Sequence, residues 1–172
     1  VLSLAQASRG VPFTLATATP FLGDRMAALG FPDLLVQPRD LLARLVRHRE
    51  QNQSDLALAL VPCDRPQSSD LVELSPRGKV RRIEIKPAAT TLKWTWAFAV
   101  WTPRFSRFLL KWTEGFNARS RRLGREPHAG DLFIGAMSEG FEIDALTEPS
   151  GRVLDIGTPE TLAAAAGFHP SS

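Results

Sequence analysis

The stretch RVLDIGTPETL, Arg152 to Leu162, decides how this chain is read. Val153 and Leu154 form a strand-like run that ends on one carboxylate, Asp155. Gly157 then turns the chain, and Thr158, Pro159 and Glu160 supply an N-cap, a first helical position and an acidic first turn. A charged group is thereby set where a strand stops. Ligands gather at the carboxyl ends of strands in open α/β sheets, so Asp155 reads either as a ligand or as a solvated turn residue. The frequency of Asp in turns favours the second reading.

Working outward from that stretch, strands and helices alternate. Phe141 to Leu146 reads as a strand, joined to Arg152 by a hairpin through Pro149, Ser150 and Gly151, and Thr161 to Ala166 reads as a terminal helix stopped by Gly167. Before it, Asp131 to Glu139 is a helix with Asp131 at or near its N-cap. Pro103 opens a helix in which Phe105, Phe108, Leu109 and Trp112 recur at helical spacing. Trp94 to Trp101 is an aromatic, β-favouring strand; Trp94 and Trp96 either feed the core or stack on a sugar or base, and core packing is the commoner outcome. Leu71 to Leu74 and Lys79 to Ile85 pair around Ser75 to Gly78, and the second of these strands stops at Lys86 and Pro87 because proline removes a ladder donor.

Nearer the start, Cys63 to Asp70 is a loop by composition and Leu56 to Val61 a buried strand. The helix after Asp40 turns Leu41, Leu42, Leu45 and Val46 to one side. His48, near its end, reads as a surface residue. Val11 to Thr19, after Gly10, reads as a strand, and Leu22 to Ala28 as a short helix or turn. The strand-like run from Met26 to Leu29 leads through Gly30, Phe31 and Pro32 to a second terminal carboxylate, Asp33. Val1 to Gln6 reads as the end of a helix.

With 172 residues, 44% hydrophobic and 23% charged, the chain is long and apolar enough for one globular domain with its own core, which excludes disordered and collagen-like classes. A net charge of +3 is modest, and the only basic cluster, Arg119, Arg121, Arg122 and Arg125, reads as a solvated loop rather than a nucleic-acid footprint. The single cysteine, Cys63, rules out an internal disulfide and fits a reducing compartment. No apolar run approaches about 18 residues, so a soluble, cytoplasmic protein with no membrane partner is expected.

Zinc spacing, a G-x-S-x-G elbow, a Walker loop and a dinucleotide glycine loop are all missing from the sequence. Two carboxylates at predicted strand ends, Asp33 and Asp155, and one lysine fixed at another, Lys86, are left. Carboxylates and an ammonium suit phosphate and Mg²⁺ chemistry, because Mg²⁺ takes one or two protein carboxylates together with substrate phosphates.

The order of these pieces carries a resemblance. FPD (Phe31 to Asp33), a covering helix, an apolar strand, the LVEL hairpin, GKVRRIEIKP (Gly78 to Pro87), an aromatic strand ending in WTP, GDL (Gly130 to Leu132) and LDIGTPETL together resemble the sugar-phosphate nucleotidyltransferases, nearest to glucose-1-phosphate thymidylyltransferases. The resemblance spans the chain from about Phe13 onward. It implies a Rossmann-like, GT-A-like three-layer α/β sandwich with a mixed, mostly parallel sheet. The implied activity is Mg²⁺-dependent transfer of a nucleoside monophosphate from a nucleoside triphosphate, dTTP or UTP, to a sugar 1-phosphate with release of pyrophosphate. By similarity Asp33 and Asp155 hold the metal, Lys86 contacts the sugar phosphate as the catalytic and binding lysine, and Thr95 and Trp96 line the sugar pocket.

The family opens with a strand, a G-x-G-T-R type loop and a P-K pair that grip the nucleotide, and none of these is in the 172 residues. The resemblance therefore implies a single domain lacking its first β-loop-α units, inactive by itself. The alternative is a non-catalytic sugar-nucleotide-binding or regulatory module. Ile85 stands where many relatives carry Glu, Asp70 where many carry Gly, and His128 where an acidic residue is common. A homo-oligomer is left open.

Overall fold

The structure, a computed structural model, describes residues 9–116, 124–165 and 168. The helical tail expected at Val1 to Gln6, three of the four clustered arginines (Arg119, Arg121 and Arg122), and the expected end of the terminal helix at Ala166 and Gly167 lie outside the described residues.

The sheet is built on β6 (Trp94–Trp101), flanked along its whole length by β3 (Leu56–Pro62). The β3 sequence LALALVP is apolar throughout, as a strand covered on both faces must be, and six of its seven residues are buried. Beyond β3 lies β7 (Ile143–Thr147), in parallel. The other edge of β6 is shared. β1 (Ala27–Leu29) pairs with Ala99 to Trp101, and β4 (Asp70–Leu74) pairs with Trp94 and Thr95 before turning into β5 (Val80–Ile85). The sheet is mixed, as expected. β1, β3, β4 and β7 run in one direction, yet only β3 and β7 among them are neighbours, so parallel pairing is confined to that ladder. The antiparallel β6 separates β1 and β4 from β3, and the antiparallel β5 forms the edge beyond β4.

One face carries α1 (Val11–Leu22), α3 (Pro103–Glu114) and α4 (Ala129–Ser138). Phe105, Leu109 and Trp112 of α3, and Leu132 and Phe133 of α4, pack there on Leu58, Leu60 and Trp96. The opposite face takes α2 (Leu41–Asn52), whose Leu41 and Leu45 are fully buried on Ala57, Ala59 and Ala97. Beside α2 lies a two-stranded antiparallel ribbon of β2 (Leu34–Gln37) and β8 (Arg152–Asp155), which contributes Val36 and Val153 to that core. The result is the expected three-layer α/β sandwich.

Three expectations fail locally. Val11 to Thr19 is helix rather than strand: Gly10 sits at its N-cap with φ 102°, Pro12 falls in the first turn where its missing N–H costs nothing, and Phe13 packs edge-on against Phe116 with centroids 5.4 Å apart. Tertiary packing overrides the β-favouring composition. Asp33 does not end a strand. β1 stops at Leu29, a turn closed by the Leu34 N–H on the Phe31 carbonyl (3.2 Å) follows, and Asp33 immediately precedes β2. β7 and β8 form no hairpin either, since each pairs with a different sheet. A smaller shift concerns α4, which begins at Ala129 with His128 as N-cap, while Arg125 is exposed, as expected of a solvated loop, and makes a two-pronged pair with Asp131 at the surface.

The departure of β8 from β7 is fixed at Glu148. Its backbone N–H donates to the Leu60 carbonyl (2.8 Å), its carboxylate accepts from the Ser150 hydroxyl, and Arg44 of α2 pairs with its other oxygen (2.6 Å). The Ser150 hydroxyl, followed by Arg44, holds the Glu148 carboxyl below the usual carboxylate range. A depressed folded-state pKa contributes stability that is present above the unfolded value and lost as pH falls. Glu148→Gln is therefore expected to lower stability by about 2 kcal/mol at pH 7. Urea unfolding at pH 7 and pH 3.5 should show the gap between wild type and variant closing on acidification.

Candidate functional site

Because β1 and β4 meet β6 at opposite ends of one edge, Trp96, Ala97 and Phe98 have no strand partner there. A cavity of about 490 Å³ opens beside this gap, within the size range of small-molecule sites. Its walls include all five residues singled out in the sequence: Asp33, Lys86, Thr95, Trp96 and Asp155. They come from four separate segments.

Asp33 and Asp155 stand at one mouth, brought together by the β2–β8 ribbon. Asp155 is directly opposite Leu34, and the Ile156 N–H donates to the Asp33 carbonyl (2.8 Å). Asp155 Oδ1 accepts the Gly157 N–H at 2.8 Å, an Asx-type turn that fixes its carboxylate. Both side chains crowd the same point. A methyl group placed on Gly157 would lie 3.0 Å from Asp155 Oδ1 and 3.3 Å from Asp33 Oδ2. The two carboxylates are exposed and close together, a donor set that fits one hard, oxygen-seeking cation whose remaining ligands are water or phosphate. No cluster of three or more acidic, histidine or cysteine ligands occurs among the described residues.

Lys86 follows β5 directly. Its backbone takes φ 43°, a left-handed conformation that costs a non-glycine residue about 1–2 kcal/mol, and its N–H is tied to the Ser69 carbonyl at 3.1 Å. Such strain gathers at functional positions. Thr95 and Trp96 form the wall, and both are mostly buried. The Thr95 hydroxyl donates to the Asp70 carbonyl (3.0 Å), and the Trp96 ring packs edge-to-face on Phe133 at 5.3 Å and against Phe31 at 5.6 Å. Trp96 is thus chiefly a core residue with an edge on the cavity, and Trp94 also packs on the core.

Asp70 and His128 also line the cavity. Sequence reasoning marked them only as departures from a family pattern. Asp70 is 9% exposed; its Oδ2 accepts the Gly130 N–H (3.1 Å) at the start of α4, and its Oδ1 has no hydrogen-bond partner among the described residues. Gly130 is needed there, because a Cβ would lie 2.7 Å from Asp70 Oδ2. Burial pushes the Asp70 carboxyl up, against the pull of His128, the Gly130 N–H and Lys86. His128 is pushed down from its usual value, first by burial and then by the Lys86 charge. A polar pair inside a run of loop residues gives no periodic signal, so only the fold reveals it.

No protein-family model and no curated protein matches the chain. Among solved structures it is similar to a Bacillus anthracis protein provisionally assigned as a glucose-1-phosphate thymidylyltransferase and crystallised with sucrose, at TM-score 0.77 and 16% identity. The match covers 96% of this chain and 62% of that one. The shared property is the fold, a Rossmann-like mixed α/β sandwich. No described helix is long and apolar enough to cross a membrane.

A carboxyl group with a raised folded-state pKa favours the fold below its unfolded pKa, and that contribution is lost as pH rises through the folded value. Asp70→Asn keeps an acceptor for Gly130 and removes the charge. Its melting temperature is expected to match wild type near pH 4 and to exceed it at pH 8 by about 2–4 °C, the equivalent of about 1 kcal/mol in a domain of this size. Thermal melts across that range check it.

Proposed function

We propose that the cavity binds a sugar 1-phosphate and that the protein acts as a sugar-1-phosphate nucleotidyltransferase, using Mg²⁺ and a nucleoside triphosphate, dTTP or UTP. The observation that supports this most is the convergence of Asp33 and Asp155 at the mouth of the same cavity that Lys86, Thr95 and Trp96 line. The fold shared with the Bacillus anthracis structure supports it at the level of architecture.

In this reading a phosphate oxygen of the sugar 1-phosphate attacks the α-phosphorus of the triphosphate in line. The new P–O bond forms as the bond to the β-phosphate bridge breaks, and pyrophosphate leaves with its electron pair. Two highly charged anions must approach each other, and that repulsion is the barrier the site has to lower. Lys86 screens the nucleophilic phosphate, with its strained backbone already fixed before the ligand arrives. Asp33 and Asp155 would hold Mg²⁺, which screens the triphosphate oxygens and the charge that develops on the leaving group. Trp96 offers its ring edge to the apolar side of the sugar, and Thr95 and the core behind it hold that wall in place.

The second reading is a non-catalytic sugar-nucleotide-binding module, which uses the same cavity without the transfer step. Pyrophosphate release separates the two. The transferase reading expects release when glucose 1-phosphate, dTTP or UTP, and Mg²⁺ are mixed with a chain that carries a glycine-rich triphosphate loop ahead of these residues. Tight binding of sugar nucleotide with no release identifies the binding module.

For the residues, calorimetry with glucose 1-phosphate is expected to show affinity that falls when EDTA replaces Mg²⁺. Asp33→Asn and Asp155→Asn should each abolish that metal dependence while leaving the melting temperature within about 3 °C of wild type, the scale of a surface substitution. Lys86→Met should weaken sugar phosphate binding at least tenfold, on the order of the loss of one charge-assisted contact. Affinities untouched by EDTA and by all three substitutions would refute these roles.

A further inference from the structure

Among the described residues that line the cavity, Asp70 is the one buried charged side chain that the proposed transfer does not use. It is more than nine-tenths buried, it lines the cavity, and one of its oxygens lacks a partner among the described residues. The other oxygen, the backbone and the neighbours are fully engaged: Gly130 holds Oδ2, Thr95 holds the carbonyl, and Asp70 sits opposite Ile85 in the β4–β5 ladder. The carboxylate therefore cannot swing away without breaking the start of α4. His128, the N-cap of α4, stands at the same end of the cavity, and Lys86 is close enough to act on both electrostatically.

A buried acceptor without a donor is costly, and the cost is relieved when a ligand brings an O–H or N–H to it. The same group repels any anionic substituent, because a carboxylate in a poorly solvated site interacts over a short range with little screening. We infer that Asp70 is a specificity residue: the cavity selects sugar phosphates that carry a hydroxyl or amino donor on the ring face turned to Asp70 and rejects those that carry a carboxylate.

This rests on the sugar 1-phosphate reading above and adds the class of sugar to it. Lys86, within electrostatic reach of both Asp70 and His128, takes the phosphate, and Asp70 itself takes a substituent of the ring, so anion and donor are divided between neighbouring side chains. Neutral and amino sugars suit that division. Uronic acids do not.

Calorimetry with glucose 1-phosphate, glucosamine 1-phosphate and glucuronic acid 1-phosphate, on wild type and Asp70→Asn in the presence of Mg²⁺, tests it. Wild type is expected to bind the amino sugar at least as tightly as glucose 1-phosphate, and the uronic acid at least tenfold more weakly. In Asp70→Asn, which keeps the acceptor for Gly130, the gap between amino sugar and uronic acid should shrink tenfold or more. Wild type binding all three alike overturns the inference without any variant. So does an Asp70→Asn protein whose three affinities stay within twofold of wild type, which would leave Asp70 as a cap for α4 and the sugar-phosphate reading standing. Wild type that binds none of the three overturns both.

Discussion

One edge of β6, shared between two short strands, sets where the cavity can form. β6 is eight residues long, and β3 runs along the whole of one edge with a single irregularity at Ala97. On the other edge two short strands divide the work, β1 at the C-terminal end and β4 at the N-terminal end, and neither reaches the middle. Unpaired strand edges are normally a liability, and proteins cover them. Here α1 and α4 close over the helical face, the β2–β8 ribbon approaches from the other, and the space left between them is the cavity. The site is a consequence of how hydrogen bonds are apportioned along one strand.

That arrangement explains why the cavity walls are rigid. Trp96 is locked between Phe31 and Phe133, and Thr95 is hydrogen-bonded to the neighbouring strand. Lys86 is held at the strand end by its bond to Ser69 in a conformation that lysine rarely adopts. Groups fixed before a ligand arrives need not be ordered on binding, so less of the interaction energy is consumed in doing so. The acidic mouth is built differently. Asp33 and Asp155 sit on turns at the end of a two-stranded ribbon, exposed to water, where a cation that keeps several of its own water molecules would be least penalised.

What the sequence made legible follows from how strongly each segment is over-determined. β3, β6 and the β4–β5 hairpin were readable because continuous apolar or aromatic runs bounded by proline and glycine admit few alternatives. α1 was not, because Val, Phe and Thr favour strands locally and only packing against Phe116 and the sheet makes the helix. β2 escaped for a related reason. Its four residues, Leu34 to Gln37, do not alternate, and their partner lies more than a hundred residues away in β8. Asp33 and Asp155 were each visible as a carboxylate beside a turn, yet their proximity is a long-range fact that spacing alone does not carry. The family resemblance paired them, and the ribbon supplies the physical means.

Asp70 is the harder case, and it shows why a buried charge needs the fold to be noticed. In sequence it closes a loop, Cys63 to Asp70, whose composition is that of any solvated turn. In the structure it opens β4, and the ladder draws it inside. A carboxylate so placed disfavours the fold unless something offsets the burial, and the Gly130 N–H at the start of α4 offsets only one of its two oxygens. An apolar residue would avoid that cost, as Val72 does two positions on, facing the same core. The acid is therefore tolerated against the interest of stability, which is the pattern expected where a side chain faces a ligand rather than the core. Its raised proton affinity comes from burial in the ladder beneath α4, and its place on the cavity wall from the gap in the β6 edge beside it.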